Sequence, residues 1–263
     1  GDDERLSVST IYSASGLLRG GLMAERPFRS PHHTTSSVAL VGGGSIPKPG
    51  EVTLAHHGVL FMDELPEFPR SALEALRQPL EDGIVTIARA QGTLRFPARF
   101  TLVAAQNPCP CGYATDTTRQ CICTPHQLMQ YKKRTSGPLL DRIDLHVEVP
   151  SVPSETLAGE NVAPPSSDAR KRIIAARKKQ QKRYKKSSLT NAALGARHIK
   201  TYIQLSDDVK TLLKQAIDHH GLSARAYHRV IKVSRTIADL EGCDEITATH
   251  LGEALQYRPV KDN

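Results

Sequence analysis

Apolar residues are distributed in two regimes along the chain. Over residues 1–150 they come in short runs broken by Gly- and Pro-marked turns, whereas over 166–258 they recur at helical spacing with few breakers. Three runs predict strands. Val59-Leu60-Phe61-Met62 and Phe100-Thr101-Leu102-Val103-Ala104-Ala105 are continuous, as parallel strands covered on both faces are. Ile143-Asp144-Leu145-His146-Val147-Glu148-Val149 alternates, as an edge strand does. Between the first two, Leu73, Leu76 and Leu80 keep helical spacing up to Gly83, which predicts one helix over Ser71–Asp82 with a glycine stop. Ile84–Ala88 and Thr93–Phe96 flank Gln91-Gly92 and predict a β-hairpin.

The change of regime coincides with prolines at 150, 153, 164 and 165, which block helix on either side. The expected organisation is an α/β domain over 1–150, a linker over 151–166 and an all-helical domain over 167–263. An apolar content of 39% is enough for a core in each. No apolar run is long enough to cross a bilayer, and Gly1-Asp2-Asp3-Glu4-Arg5 lacks a signal-peptide pattern, so the expected location is cytoplasmic.

The net charge of +8 is concentrated between Arg170 and Lys186, where nearly every second residue is Lys or Arg. Such a run attracts phosphate backbones without reading sequence, or else is a solvated helix face. Four of the five cysteines form a C-x-C, nine-residue, C-x-C pattern at Cys109, Cys111, Cys121 and Cys123. Two short arms of this kind can give Zn²⁺ four thiolates; reduced thiols and labile disulfides are the alternatives. The pairs His32-His33 and His56-His57 are expected to point to opposite faces of a strand and are assigned no role.

Four stretches carry candidate chemistry. The strand run ending in Asp63-Glu64 offers one carboxylate for Mg²⁺ beside a nucleotide's phosphates and another to orient an attacking water. The strand run ending in Gln106-Asn107-Pro108 carries an amide able both to donate and to accept. Arg142, in Leu139-Leu140-Asp141-Arg142, directly precedes the third strand run. Arg225, in Ser223-Ala224-Arg225, opens a helix that continues through Val230, Val233, Ile237 and Leu240.

In this order the four stretches resemble the Walker B, sensor 1, arginine-finger and sensor 2 elements of AAA+ ATPases. Arg26-Pro-Phe-Arg-Ser-Pro-His-His-Thr-Thr-Ser-Ser, Pro47-Lys-Pro-Gly-Glu-Val-Thr-Leu-Ala-His-His-Gly and Gly137-Pro-Leu-Leu-Asp-Arg-Ile-Asp-Leu-His-Val-Glu-Val-Pro are similar to the magnesium-chelatase-like ComM (YifB) proteins of bacteria, with a likeness running from about Ile11 to Pro259. The fold so implied is a truncated AAA+ parallel sheet with flanking helices and a β-hairpin insertion, followed by an all-α helical lid.

The resemblance implies that Asp63 binds Mg²⁺, Glu64 activates water, Asn107 senses the γ-phosphate and Arg142 acts on a neighbouring subunit. Arg225 would contact the nucleotide's phosphates, with Arg229 and Lys232 as substitutes on the same helix. Residues 38–50 and 84–99 would be pore-facing insertions, with Arg89, Arg95 and Arg99 contacting DNA. ATP and Mg²⁺ are the implied cofactors, a homo-hexamer the implied assembly, and DNA branch migration the implied activity; the alternative is a protein-remodelling motor of the magnesium-chelatase type. One departure is plain: no G-x-x-x-x-G-K-[ST] string occurs, and Gly42-Gly43-Gly44-Ser45-Ile46-Pro47-Lys48-Pro49 only approximates one. The chain is therefore expected to start downstream of its phosphate-binding loop and of a Lon-protease-like domain. By itself it should bind ATP poorly, and it could serve as an interaction module.

Overall fold

A computed structural model describes residues 1–44, 46–89, 92–116, 119–150, 164–186, 189–220 and 222–258. The chain divides into two compact units, Gly1–Ile143 and Asp144–Asn263. Residues 151–163, most of the expected linker, lie outside the described residues.

The first unit is α/β. It opens with helix α1 (Asp2–Ala14), followed by β1 (Phe28–Arg29), α2 (Ser37–Val41), the two-residue strands β2 (Gly42–Gly43) and β3 (Lys48–Pro49), and α3 (Glu51–Leu54). Then come β4 (Val59–Met62), α4 (Arg70–Ala75), α5 (Arg77–Asp82), β5 (Ile84–Arg89), β6 (Gly92–Pro97) and β7 (Thr101–Ala104), and finally α6 (Pro125–Arg134) and α7 (Gly137–Leu140). The central sheet is parallel in the order β1-β4-β7, with Phe28 opposite Val59 and Met62 opposite Ala104. Glycine is required at position 58: a Cβ there would lie 1.9 Å from the Pro27 carbonyl oxygen, so only Gly lets β1 and β4 approach this closely.

The central strand β4 buries Leu60 and Met62 completely, and both join a core with Leu40, Val52, Leu73 and Leu76. The expectation that β7 is covered on both faces fails. Val103 is 43% exposed, and among the described residues β7 pairs only with β4, which makes it an edge strand. The expected strand over Ile143–Val149 is also not formed. A strand holds its shape by pairing with a neighbouring backbone edge. Here Leu145, Val147 and Val149 are instead exposed, and the segment's backbone anchor is the His146 N–H donated to the Tyr257 carbonyl at 2.8 Å.

The predicted helix over Ser71–Asp82 forms as two pieces that break at Leu76. Pro79 cannot donate to the carbonyl one turn back, which interrupts the ladder there. Gly83 closes α5 in the left-handed region at φ 67°, donating its N–H to Pro79. The predicted hairpin is present as β5 and β6, with Thr86 opposite Arg95. Gln78 fixes it to α5: its side-chain N–H donates to Thr86 Oγ1 and its carbonyl oxygen accepts the Thr86 N–H.

The second unit is helical: α8 (Ser166–Tyr184), α9 (Ala196–Tyr202), α10 (Asp207–His220), α11 (Ala224–Leu240) and α12 (Ala248–Gln256). The amphipathic α11 buries Val230, Ile231, Ile237 and Ala238 against Leu194, Val209, Leu213 and Leu251. Asp239, also on α11, is buried beneath two cations: Arg183 forks onto both of its oxygens at 2.9 and 2.5 Å, and Arg235 lies 3.2 Å away. Asn191 adds an amide donor at 2.9 Å. No described helix is long and apolar enough to cross a membrane.

Candidate functional site

The C-terminal ends of the parallel strands converge, as they do where open α/β sheets bind ligands. Past Met62 the chain turns sharply: Asp63 Oδ1 accepts the Glu64 N–H at 2.9 Å, and Glu64 adopts a left-handed φ of 51°. A non-glycine residue in that region is uncommon and concentrates at functional turns. The Leu65 N–H then donates to Ala105 O at 2.9 Å, and the Ala105 N–H donates to Met62 O at the same distance. These two bonds lock the acidic turn to the end of β7, two residues before Asn107. Asp63, Glu64 and Asn107 are all exposed.

A residue to which the sequence analysis assigned no role completes this cluster. His33, in the loop after β1, places Nδ1 2.8 Å from Glu64 Oε2. The expectation of opposite faces fails for both histidine pairs, because neither lies in a strand. The His32 and His33 rings are 4.1 Å apart, and the His56 and His57 rings 4.0 Å. His56 is 4% exposed and accepts the Arg99 N–H on Nδ1 at 3.0 Å, while the His57 N–H donates to Arg99 O at 2.6 Å. Burial, then His57 and Arg99, push the His56 pKa down to about 4 against a small opposing effect of Glu4.

Other candidates lie elsewhere. Arg142 is turned inward: its guanidinium pairs with Glu81 at the end of α5 and donates to Pro138 O at 2.6 Å, leaving 9% of the side chain exposed. Action on a neighbouring subunit would require it to leave that pair. In the second unit Arg225 is exposed in the first turn of α11, which Ser223 caps by accepting the Ala226 N–H. Arg229 faces Asp144 at 3.3 Å, and Lys232 donates to Ala192 O at 2.9 Å, so both are engaged within that unit.

Arg89 ends β5 and Arg95 is exposed on β6, whereas Arg99 lies beyond β6 at the hairpin's base, packed over Gly83. The basic run on α8 is partly consumed internally. Arg183 belongs to the Asp239 cluster, and Lys179 donates to Gly242 O at 2.5 Å and to Asp244 at 2.8 Å. Arg170, Arg172, Lys178, Lys182, Lys185 and Lys186 remain exposed. In the glycine-rich stretch β2 and β3 pair as an antiparallel ribbon, Gly42 opposite Pro49, and the helix that follows, α3, is a single turn.

The residues at the strand ends fit Mg²⁺ in part. Asp63 offers exposed carboxylate oxygens with no ion pair among the described residues, as a hard cation that keeps most of its waters needs. A nest of backbone N–H groups for the phosphates is missing from the sequence, which has no G-x-x-x-x-G-K-[ST] string.

The sequence model of the family described as magnesium chelatase, subunit ChlI, matches residues 1–157, and that of its C-terminal region matches residues 163–258. The competence protein ComM of Haemophilus influenzae is 50% identical over 90% of this chain and 46% of its own length. The protein YifB of Escherichia coli is 47% identical over 90% of this chain and 46% of its own. The magnesium-chelatase subunit ChlI of Cyanophora paradoxa is 24% identical over 80% of this chain and 53% of its own. The chain thus spans about half the length of the curated relatives it matches.

Proposed function

Because the chain belongs to the magnesium chelatase ChlI family of AAA+-like proteins, we propose that its first unit carries the hydrolytic acids of an ATP-driven motor acting on DNA. The observation that carries this reading is the locked turn at the end of β4, which holds two adjacent carboxylates beside the strand end that leads to Asn107.

In this reading Asp63 holds Mg²⁺ through water, and Glu64 orients a water and accepts its proton. Asn107 donates to the terminal phosphate while accepting from that water. Bound Mg·ATP supplies the phosphoanhydride to be cleaved and the charge that the metal offsets. Arg142 is assigned to a neighbouring subunit's nucleotide in a homo-hexamer, and Arg225, with Arg229 as the substitute, to the phosphates. The DNA partner is proposed from Arg89, Arg95 and Arg99 and from the exposed cations of α8; a relative such as ComM, named a competence protein, is consistent with it. The relatives named magnesium-chelatase subunits support the second reading, a motor that remodels a protein.

Calorimetric titration with Mg·ATP tests the first point, on this chain and on a longer one that carries a phosphate-binding loop upstream. Binding confined to the longer chain is expected. Glu64→Gln in that chain should keep binding and lower hydrolysis by about 10²–10⁴-fold. Equal binding by both chains, or full hydrolysis by the Gln variant, overturns the assignment. Duplex binding that weakens steeply with salt separates the DNA motor from the protein-remodelling one.

A further inference from the structure

The loop between β7 and α6 holds Cys109, Cys111, Cys121 and Cys123 with all four sulfurs within 4.8 Å of one another. The Cys109–Cys111, Cys109–Cys121 and Cys111–Cys121 sulfur separations are 3.3, 3.8 and 3.6 Å. A tetrahedral Zn²⁺ with four sulfurs at about 2.3 Å requires sulfur–sulfur spacings of about 3.8 Å. A disulfide instead draws one pair to about 2.05 Å and leaves the others apart. All four cysteines are free, and no pair is singled out.

The backbone around the sulfurs is arranged for thiolates. Cys109-Pro110-Cys111 turns back at Gly112, which sits at φ 85° and donates its N–H to Cys109 O at 3.0 Å. N–H groups of Tyr113 and Ile122 approach the Cys111 sulfur, that of Cys123 approaches Cys121, and that of Cys111 approaches Cys123. Donors aimed at ligand sulfurs form the second shell that structural metal sites use. The Cys109 side chain is buried and the other three are half-buried, so the cluster is sheltered yet reachable.

We propose that Cys109, Cys111, Cys121 and Cys123 bind one structural Zn²⁺, which ties the chain leaving β7 to the start of α6. The first arm begins two residues after Asn107. The second ends directly before Thr124, whose hydroxyl caps α6 by accepting the Gln127 N–H. The metal therefore joins the Asn107 strand end to α6, and α6 is itself fixed beside the acidic turn by Arg134 donating to Glu67 at 2.5 Å. The site stands independently of the ATPase assignment, since its ligands and geometry do not involve nucleotide.

The test is metal analysis of the chain purified under reducing conditions, with about one zinc per chain expected. Cys111→Ser and Cys123→Ser should each bring the ratio to near zero, while Cys243→Ser keeps it. Because misfolding of a variant would also release metal, the unmutated chain is exchanged with Co²⁺, which should give the intense sulfur-to-cobalt absorption of a tetrahedral four-thiolate site. X-ray absorption at the zinc edge should show a sulfur shell at about 2.3 Å. A folded, metal-free chain that takes up neither Zn²⁺ nor Co²⁺, a shell of oxygen or nitrogen, or iron in place of zinc overturns the proposal.

Discussion

His56 makes the acid stability of the first unit calculable. Its buried ring is neutral, with Nδ1 accepting the Arg99 N–H at 3.0 Å, and its pKa is pushed down to about 4 from 6.5 in the unfolded chain. The groups that face it are His57 and Arg99, which oppose its protonation, and Glu4, which favours it. Between these two pKa values the unfolded chain binds a proton that the folded chain does not. Stability is therefore full above about pH 7 and falls as pH drops through the window. At 1.36 kcal/mol per pKa unit the loss approaches ~3 kcal/mol near pH 4 and is already ~2 kcal/mol at pH 5. His56→Asn keeps an acceptor close to the position of Nδ1 and removes the titration, at the cost of a cavity of ~1–2 kcal/mol that does not depend on pH. Urea unfolding followed by circular dichroism at pH 7.5 and pH 5 gives the comparison. The wild-type chain should lose ~2 kcal/mol more than the variant between the two pH values, whatever the other groups contribute to both. Equal losses in the two chains would refute the account of His56 as a buried neutral acceptor.

Three further outcomes follow from the geometry. In a chain able to hydrolyse ATP, His33→Ala should raise the basal rate by about 2–10-fold with Mg·ATP affinity unchanged, because Glu64 no longer has to break a hydrogen bond of ~0.5–1.5 kcal/mol to take up a water; an unchanged rate makes the contact incidental. Asp239→Asn leaves Arg183 and Arg235 without their carboxylate and should destabilise the second unit by ~3–5 kcal/mol, read from its thermal unfolding, and a shift below ~1 kcal/mol would contradict the buried pairing. On the proposed DNA contact, Arg95→Ala should weaken duplex binding and lower the slope of log affinity against log salt by about one, whereas Lys179→Ala should leave that slope unchanged because Lys179 is held by Asp244.

The parts of the fold that the sequence made legible are those in which a local pattern coincides with a local structure. The run Val59–Met62 is a strand over just those residues, and the hairpin runs pair as expected. Where the reading failed, the deciding fact was not local. Phe100–Ala105 is as apolar as a covered strand, yet its exposure depends on whether a neighbour lies beyond it. Ile143–Val149 has the alternation of an edge strand but pairs with no strand among the described residues. β1 is two residues long between Pro27 and Pro31, too short to leave a periodicity, and its role comes from the close approach that Gly58 allows. Pro79 was visible in the sequence and does interrupt its helix, but the regular spacing of Leu73, Leu76 and Leu80 concealed the break. The basic run on α8 was legible as charge; which cations are committed inward depends on the placement of Asp239, three helices further along the chain.

For the candidate site the same division applies, and the parallel register accounts for it. Asp63 and Glu64 announce themselves as acids ending an apolar run, whereas His33 has no such signature, preceding β4 by two helices, a ribbon and a turn. Once β1 is known to run parallel beside β4, the loop that leaves β1 starts at the same end of the sheet as the acidic turn, and it places His33 Nδ1 2.8 Å from Glu64 Oε2. Carrying the β4–β7 register forward from Met62 and Ala104 sets Asp63 opposite Ala105, whose carbonyl anchors Leu65. The central carboxylate turn thus has a histidine on one side and an amide strand end on the other, and both follow from strand order. The glycine at position 58, which sets how closely β1 approaches, therefore belongs to the site as much as the residues that line it.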